Sequence, residues 1–326
     1  MIVPQYWAEA RRQHRARGKQ VTVRRFGWSD DSQDDAQRHA EARVEEAMAR
    51  VLAGEPLPRR ERKVPYNGAE GLPIREEIVS RHGDVVVTRN SYGALCLNTP
   101  DVLFVDIDFT DPGASWRLRL AITLAAAIAV GGYFFMHTKA STALAALVAA
   151  MIAAQFIVAA VHGIAWRLGG GPEGRAHARI ARFIAAHGDW RLRQYRTPSG
   201  LRLLAMHRTF ATDDPAVQQC FAALGADRTY ARMCARQRCF RARLSPKPWR
   251  IGIAAHMRPR PGVWPIAPEQ RSKRERWIED YERKATGYAA CRYLGECGAG
   301  GVDRKAADVR VLHDALSRAE QSLPIA

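Results

Sequence analysis

The sequence predicts an α/β (or α+β) soluble domain interrupted by a two-helix transmembrane hairpin. Two uncharged apolar stretches, Leu120 to Met136 and Ala143 to Trp166, stand on either side of the short polar stretch His137 to Ser141. Strand-like runs precede them at Asp84 to Arg89, Gly93 to Leu97 and Val102 to Asp106, and two more follow at Trp190 to Thr197 and Leu201 to His207 about the turn Pro198-Ser199-Gly200. One sheet-containing domain is therefore expected to be assembled from both sides of the insertion. The organisation that follows is an N-terminal basic and helical segment over residues 1–58, the first part of a cytoplasmic α/β domain over 59–116, and the hairpin over 117–167. The second part of the domain then covers 168–262, and a polar helical C-terminal region covers 263–326.

A chain of 326 residues can bury a full core without disulfides or metals. Its six cysteines, Cys96, Cys220, Cys234, Cys239, Cys291 and Cys297, stand at spacings that match no zinc pattern, so reduced thiols in a cytosolic setting are expected. Met1 to Arg12 holds no apolar run of the length a cleavable signal needs, and export of this part is not expected. Fifty Lys and Arg against 33 Asp and Glu give a formal charge of +17, a field that attracts nucleic acid, acidic lipid headgroups or an acidic protein partner without choosing among them. A surface of anionic lipid would account for much of the excess, since each nearby Lys or Arg gains about 1 kcal/mol there.

In chain order, Asp34 to Ala53 places Ala42, Val44, Ala47, Met48, Val51 and Leu52 at helical spacing and reads as a surface helix. Pro56 and Pro58, then Tyr66, Asn67, Gly68, Gly71 and Pro73, suit a loop ahead of a short helical pattern at Ile74 to Arg81. The three strand-like runs are separated by Asn90-Ser91-Tyr92 and Asn98-Thr99-Pro100, and the last, apolar throughout, is expected to be central in its sheet. After the hairpin, Gly169 to Pro172 break the helix and Glu173 to His187 resume a helical pattern. Helices are next expected at Asp214 to Leu224 and Asp227 to Gln237, followed by an extended basic segment at Phe240 to Gly252. A polar helix at Pro268 to Arg292, a glycine-rich break at Glu296 to Gly301 and a helix at Arg304 to Ser322 complete the pattern. Gly298 to Gly301 has no Lys-Ser/Thr successor, so it is not expected to form a phosphate loop.

Apolar spans of about 17 to 25 residues cross a hydrocarbon core roughly 30 Å thick, and both apolar stretches qualify. Arg117 and Arg119 precede the first, while Arg167, Arg175 and Arg179 follow the second, against Lys139 alone in the turn. The positive-inside bias then puts both termini on the cytoplasmic side of a bacterial-type inner (cytoplasmic) membrane, with Trp116 and Trp166 at one boundary. Small residues in both stretches permit close backbone approach. Folding the turn about its centre brings Thr123 and Gln155 to one depth, and an unpaired amide in hydrocarbon is costly, so a hydrogen bond between them is expected. The competing reading is an unusually apolar hairpin buried inside a soluble protein.

Asp106 and Asp108 end an apolar strand two residues apart, which puts both carboxylates on one face, where they could hold Mg²⁺ or Mn²⁺ and through it nucleotide phosphates. The plainer reading is a strand end whose acids meet water or neighbouring arginines. Together with the later turn Thr197, Pro198, Ser199 and Gly200, this D-x-D pair resembles the archaeo-eukaryotic primase superfamily, including bacterial primase-polymerases, over part of the chain. The resemblance implies metal-dependent nucleotide handling with Asp227 as a third metal-binding acid and a histidine soon after the turn. Arg202 and Leu203 stand there instead and His207 comes late, which implies altered or lost catalysis.

The basic run Arg236, Arg238, Arg241, Arg243, Lys247 and Arg250, interleaved with Phe240 and Trp249, suits either phosphates and bases or lipid headgroups. Ser199, Gly200, Arg202, Arg241, Arg243, Lys247 and Arg250 are the candidate phosphate or nucleic-acid contacts. Three functions compete: a membrane-anchored interaction or scaffold module that recruits a protein partner, a divalent-metal-dependent nucleotide or nucleic-acid handling domain, and nucleic-acid binding without catalysis, which predicts a steep loss of affinity with salt. The residues do not decide whether the chain is an enzyme.

Overall fold

The computed structural model describes residues 3–16, 19–64, 71–109, 116–137, 140–260 and 262–326. The loop residues Tyr66, Asn67 and Gly68 and the turn residue Lys139 lie outside them, as do the side chains of Trp116 and Arg117. The N-terminal unit is an antiparallel hairpin of β1 (Tyr6–Ala16) and β2 (Lys19–Ser29), covered by α1 (Gln33–Leu52). Gly27 allows the contact, because a Cβ there would stand 2.2 Å from the backbone nitrogen of Ala40. The helix starts on Ser32, whose hydroxyl accepts from the Asp35 amide. It buries Ala36, Ala40, Val44, Ala47 and Met48, whereas Ala42 and Leu52, expected on the apolar face, are exposed. The strands were not expected, since residues 11–16 are exposed throughout and show no apolar alternation to read.

Two four-stranded antiparallel sheets form the main body. The first has the order β3 (Glu77–His82), β4 (Val85–Arg89), β5 (Leu95–Thr99), β9 (Phe240–Arg243). The second has the order β10 (Arg292–Cys297), β7 (Leu192–Thr197), β8 (Gly200–Ala205), β6 (Phe104–Asp108). Each sheet pairs a strand from before the apolar insertion with one from after it, β5 with β9 and β6 with β8, as the split domain requires.

Three expectations are corrected. Ile74 to Arg81 is not helical; most of it is β3, an edge strand of low apolar content. The apolar strand β6 is not central but ends its sheet, and it is apolar because Phe104, Val105 and Ile107 are buried in the core shared by both sheets. The region 263–326 is not a separate helical piece. Its helices α7 (Pro268–Ala285) and α8 (Arg304–Ser317) are shorter than expected, and β10 between them joins the second sheet.

The core is continuous between the sheets. Leu97 of β5 belongs to the same buried cluster as Phe104, Leu192 and Leu203 from the second sheet. Ile180 and Phe183 of α4 (Gly171–Ala186), Val217 and Phe221 of α5 (Pro215–Leu224), Cys234 of α6 (Arg228–Gln237) and Val309 of α8 complete it. Burying each such large side chain stabilises the fold by about 1.5–3 kcal/mol.

The apolar insertion forms α2 (Trp116–His137) and α3 (Ala140–Leu168), which pack on each other. The Gln155 side-chain amide donates to the Thr123 hydroxyl, the pairing expected from their matched depth, and that hydroxyl donates on to the Arg119 carbonyl. The helices are not buried in the protein's interior: Leu124, Ile128, Leu144, Ile152, Phe156, Ile157, Val161 and Ile164 are all exposed. Among the described residues one helix, Leu144–Leu168, is long and apolar enough to cross a membrane, and the described apolar stretch within α2, Arg119–Tyr133, is shorter than that.

Gly200, at the first position of β8, faces Ile107 so closely that a Cβ would stand 1.9 Å from its carbonyl oxygen. Gly200→Ala is expected to destabilise the fold by about 1–3 kcal/mol, read as a lower unfolding midpoint, because the backbones of β6 and β8 cannot separate without losing their pairing. An unchanged midpoint would refute this close approach.

Candidate functional site

The ends of β6 and β9 come together over α6 and enclose a cavity of about 370 Å³. In β6 the alternation Asp106, Ile107, Asp108 buries the isoleucine and turns both carboxylates into this cavity. Antiparallel register sets Arg202 of β8 opposite Asp106. The guanidinium, 3% exposed, donates from Nε and Nη2 to the two Asp106 oxygens at 2.8 and 3.2 Å and from Nη1 to the Arg243 carbonyl at 2.8 Å. Burial alone would lower the Arg202 pKa, but the Asp106 carboxylate more than offsets it and the guanidinium is held firmly charged.

Asp227 lies at the start of α6 and is spent on that helix: Oδ1 accepts from the Thr229 amide at 2.9 Å and Oδ2 from the Tyr230 amide at 3.3 Å. Its own backbone amide donates to the Asp106 carbonyl at 2.9 Å, and the Tyr230 hydroxyl donates to the Phe104 carbonyl at 3.1 Å. The unpaired edge of β6 is thereby satisfied by α6. Among the described residues Asp108 has no such partners. Burial first, and then the neighbouring Asp106 and Asp227, raise its pKa above the usual carboxylate range.

The opposite wall carries Arg243 of β9 and Lys247 ahead of the 3-10 turn Pro248–Ile251, with Arg250 within that turn. Among the described residues none of these three forms an ion pair, and burial followed by mutual repulsion lowers the pKa of Lys247 and of Arg250. Arg250 donates from Nη2 to the Ser199 hydroxyl at 2.6 Å, while its Nη1 and the Nε of Arg243 are buried with no acceptor. Both are donors left unmatched on residues at the border of the cavity.

Beside this cavity lies a second of about 290 Å³, which shares Ser91 and Tyr92 with it and adds Trp249, His256, Met257 and Arg260. Tyr92 meets Trp249 edge to face at 5.3 Å, and the Trp249 ring is 55% exposed.

The candidate residues thus divide. Asp106, Asp108, Asp227, Ser199, Arg202, Arg241, Arg243 and Lys247 all line the first cavity, and Arg250 reaches it through Ser199. Gly200 serves the strand approach described above. Arg241 is engaged elsewhere: its Nη2 donates to both Glu76 oxygens at 2.9 and 2.7 Å and its Nη1 to Asn98 at 2.9 Å, a buried clamp joined by the Thr88 hydroxyl. His207 lies in an aromatic cluster with Trp190 and Phe210, where burial lowers its pKa, and is not a cavity wall. Among the described residues no group of three or more His, Cys, Asp or Glu is gathered so as to hold a metal ion. Sequence reasoning missed Glu76, Tyr92 and Tyr230, whose only signals were a turn position for Tyr92 and helical spacing for Tyr230.

No family model, curated protein or solved structure matches the chain.

Because the Asp108 pKa is raised on folding, the native state holds that proton more tightly than the unfolded chain does. This contribution favours the fold below the ordinary value of 3.8 and is lost as pH rises through the raised folded value. Asp108→Asn is therefore expected to raise the unfolding temperature at neutral pH and to flatten its dependence on acid. Equal unfolding temperatures for variant and wild type at pH 7 would contradict the crowding of negative charge.

Proposed function

We propose that this chain is a membrane-anchored module that binds a phosphate-bearing ligand, a nucleotide or a nucleic-acid strand, in the cavity between β6 and β9. The observation that carries the reading is the group Arg243, Lys247 and Arg250, cations that repel one another and form no ion pair among the described residues; Arg243 and Lys247 line the cavity and Arg250 reaches it through Ser199. A scaffold with no ligand has no use for that arrangement, which costs stability. The aromatic pair Tyr92 and Trp249 beside the cavity supplies a surface on which a base can stack. The resemblance to primase-polymerases is supported to the extent that Asp106, Asp108 and the Thr197 to Gly200 turn border one cavity. The departure at Arg202 favours binding over polymerisation.

Anchoring rests on α3, which crosses the bilayer with α2 as its partner, in a bacterial-type cytoplasmic membrane with the body on the cytoplasmic side. Supporting this are the outward-facing apolar side chains of both helices and the cations at one end, with Arg167 in the last turn of α3 and Arg119 in the first turn of α2. Arg175 lies 3.7 Å over the Trp166 ring, a pairing suited to the headgroup boundary. Carbonate washing of vesicles is expected to leave the chain in the pellet, and release into the supernatant would remove the anchor from the reading.

Binding is tested by titrating ATP and a single-stranded oligonucleotide into the full chain in mild detergent. Affinity is expected to fall steeply with salt, and Lys247→Ala and Arg250→Ala are each expected to weaken it by roughly tenfold, the loss of one hydrogen bond to a charged group. Affinity that is flat in salt and indifferent to both substitutions would refute a phosphate site.

A further inference from the structure

Resemblance to a metal-dependent superfamily makes Mg²⁺ or Mn²⁺ the cation to test against the residues present, and the donor set does not fit one. Both Asp106 oxygens receive guanidinium N–H groups, and a metal placed on them would stand against the Arg202 charge, 2.8 Å from the nearer oxygen. Both Asp227 oxygens receive amides from its own helix. Only Asp108 is left, whereas a hard divalent ion needs several oxygens together. We propose that Arg202 takes the place of the divalent cation, so that this chain holds its phosphate-bearing ligand without metal.

Three features support the substitution. Arg202 lies opposite Asp106 in strand register, so its position is set by the sheet and not by a flexible loop. Its third donor is fixed on the Arg243 carbonyl, which keeps the guanidinium from swinging away to admit a metal. Displacing it would leave a buried charge unpaired, a penalty that metal binding to a single remaining carboxylate does not offset. The positive charge that a metal would bring to phosphates is already supplied across the cavity by Arg243, Lys247 and Arg250.

This inference rests on the reading of the cavity as a phosphate site, and the experiment separates the two. The full chain in mild detergent is titrated with ATP in EDTA and in excess Mn²⁺, and with Mn²⁺ alone. ATP affinity in the two buffers is expected to agree within about threefold, less than 1 kcal/mol. Mn²⁺ alone is expected to give no heat that depends on Asp106. Tighter ATP binding in Mn²⁺ beyond that range, or Mn²⁺ binding abolished by Asp106→Asn, overturns the metal-free inference and leaves the phosphate site standing. No ATP binding in either buffer overturns the phosphate reading and the inference with it. Arg202→Gln, which vacates Asp106, is expected to bind ATP at least about tenfold better in Mn²⁺ than in EDTA, and equal binding by a folded variant overturns the substitution. If that variant does not fold, the wild-type comparison decides.

Discussion

A guanidinium withdrawn almost wholly from water is tolerable only if its charge is matched and its N–H groups meet acceptors. Arg202 satisfies this through three strands at once: it projects from β8, pairs with Asp106 of β6 and donates to the carbonyl of Arg243 in β9. The first two strands belong to one sheet and the third to the other, so a single side chain ties the sheets together at the cavity floor. Removing one member of such a buried pair typically costs about 3–5 kcal/mol, because the other charge is left stranded. The same contact closes the gap in the chain, since β6 precedes the apolar helices and β8 follows them.

That closure explains how a long insertion leaves the domain intact. The chain departs at the end of β6, directly after Asp108, and returns through α3 and the glycine break at Gly169 to Gly171 into α4, whose Ile180 and Phe183 enter the core. Seven residues, hence eight steps along the chain, separate Asp108 from Trp116, so Asp108 lies within about 28 Å of the start of α2 at no more than about 3.5 Å per step. If α3 spans the bilayer, the ligand site therefore lies near the headgroups.

The local rules of the sequence were most readable where the period was strong. Apolar runs marked the helical pair, and simple depth matching placed Gln155 against Thr123, which the structure repeats. β-Branched content between turn residues located β4, and alternation located β7 and β8, to within a residue or two at their ends, and the i, i+2 spacing turned Asp106 and Asp108 to one side. Alternation failed for β1 and β2, where one half of the ribbon is exposed on both faces, and for β3 and β10, which lie at sheet edges and carry few apolar residues. Nor could composition tell which arginines are buried. Arg202 and Arg241 read as surface cations in sequence, and only long-range pairing with Asp106 and Glu76 makes them interior ones.

That last point changes the meaning of the net charge. Buried arginines are balanced by acids at the edge of the interior: Glu76, itself buried, pairs with Arg241, the part-exposed Glu77 with Arg274 and Asp106 with Arg202, and Arg193 takes Asp314, Glu296 and the exposed Glu320. The Asp314 carboxylate also takes the Tyr195 hydroxyl at 2.6 Å and stands 2.9 Å from His313, whose far nitrogen lies 4.0 Å from Cys291. Among the described residues seven arginines, Arg25, Arg75, Arg89, Arg193, Arg202, Arg241 and Arg274, are buried against a single buried carboxylate, Glu76, so part of the overall +17 is held inside and the accessible surface is less basic than the sequence suggests. The arginines that hold the sheets in register are thus subtracted from the charge counted in the sequence, and the positive field available to phosphate or headgroup comes from the arginines and lysines left outside.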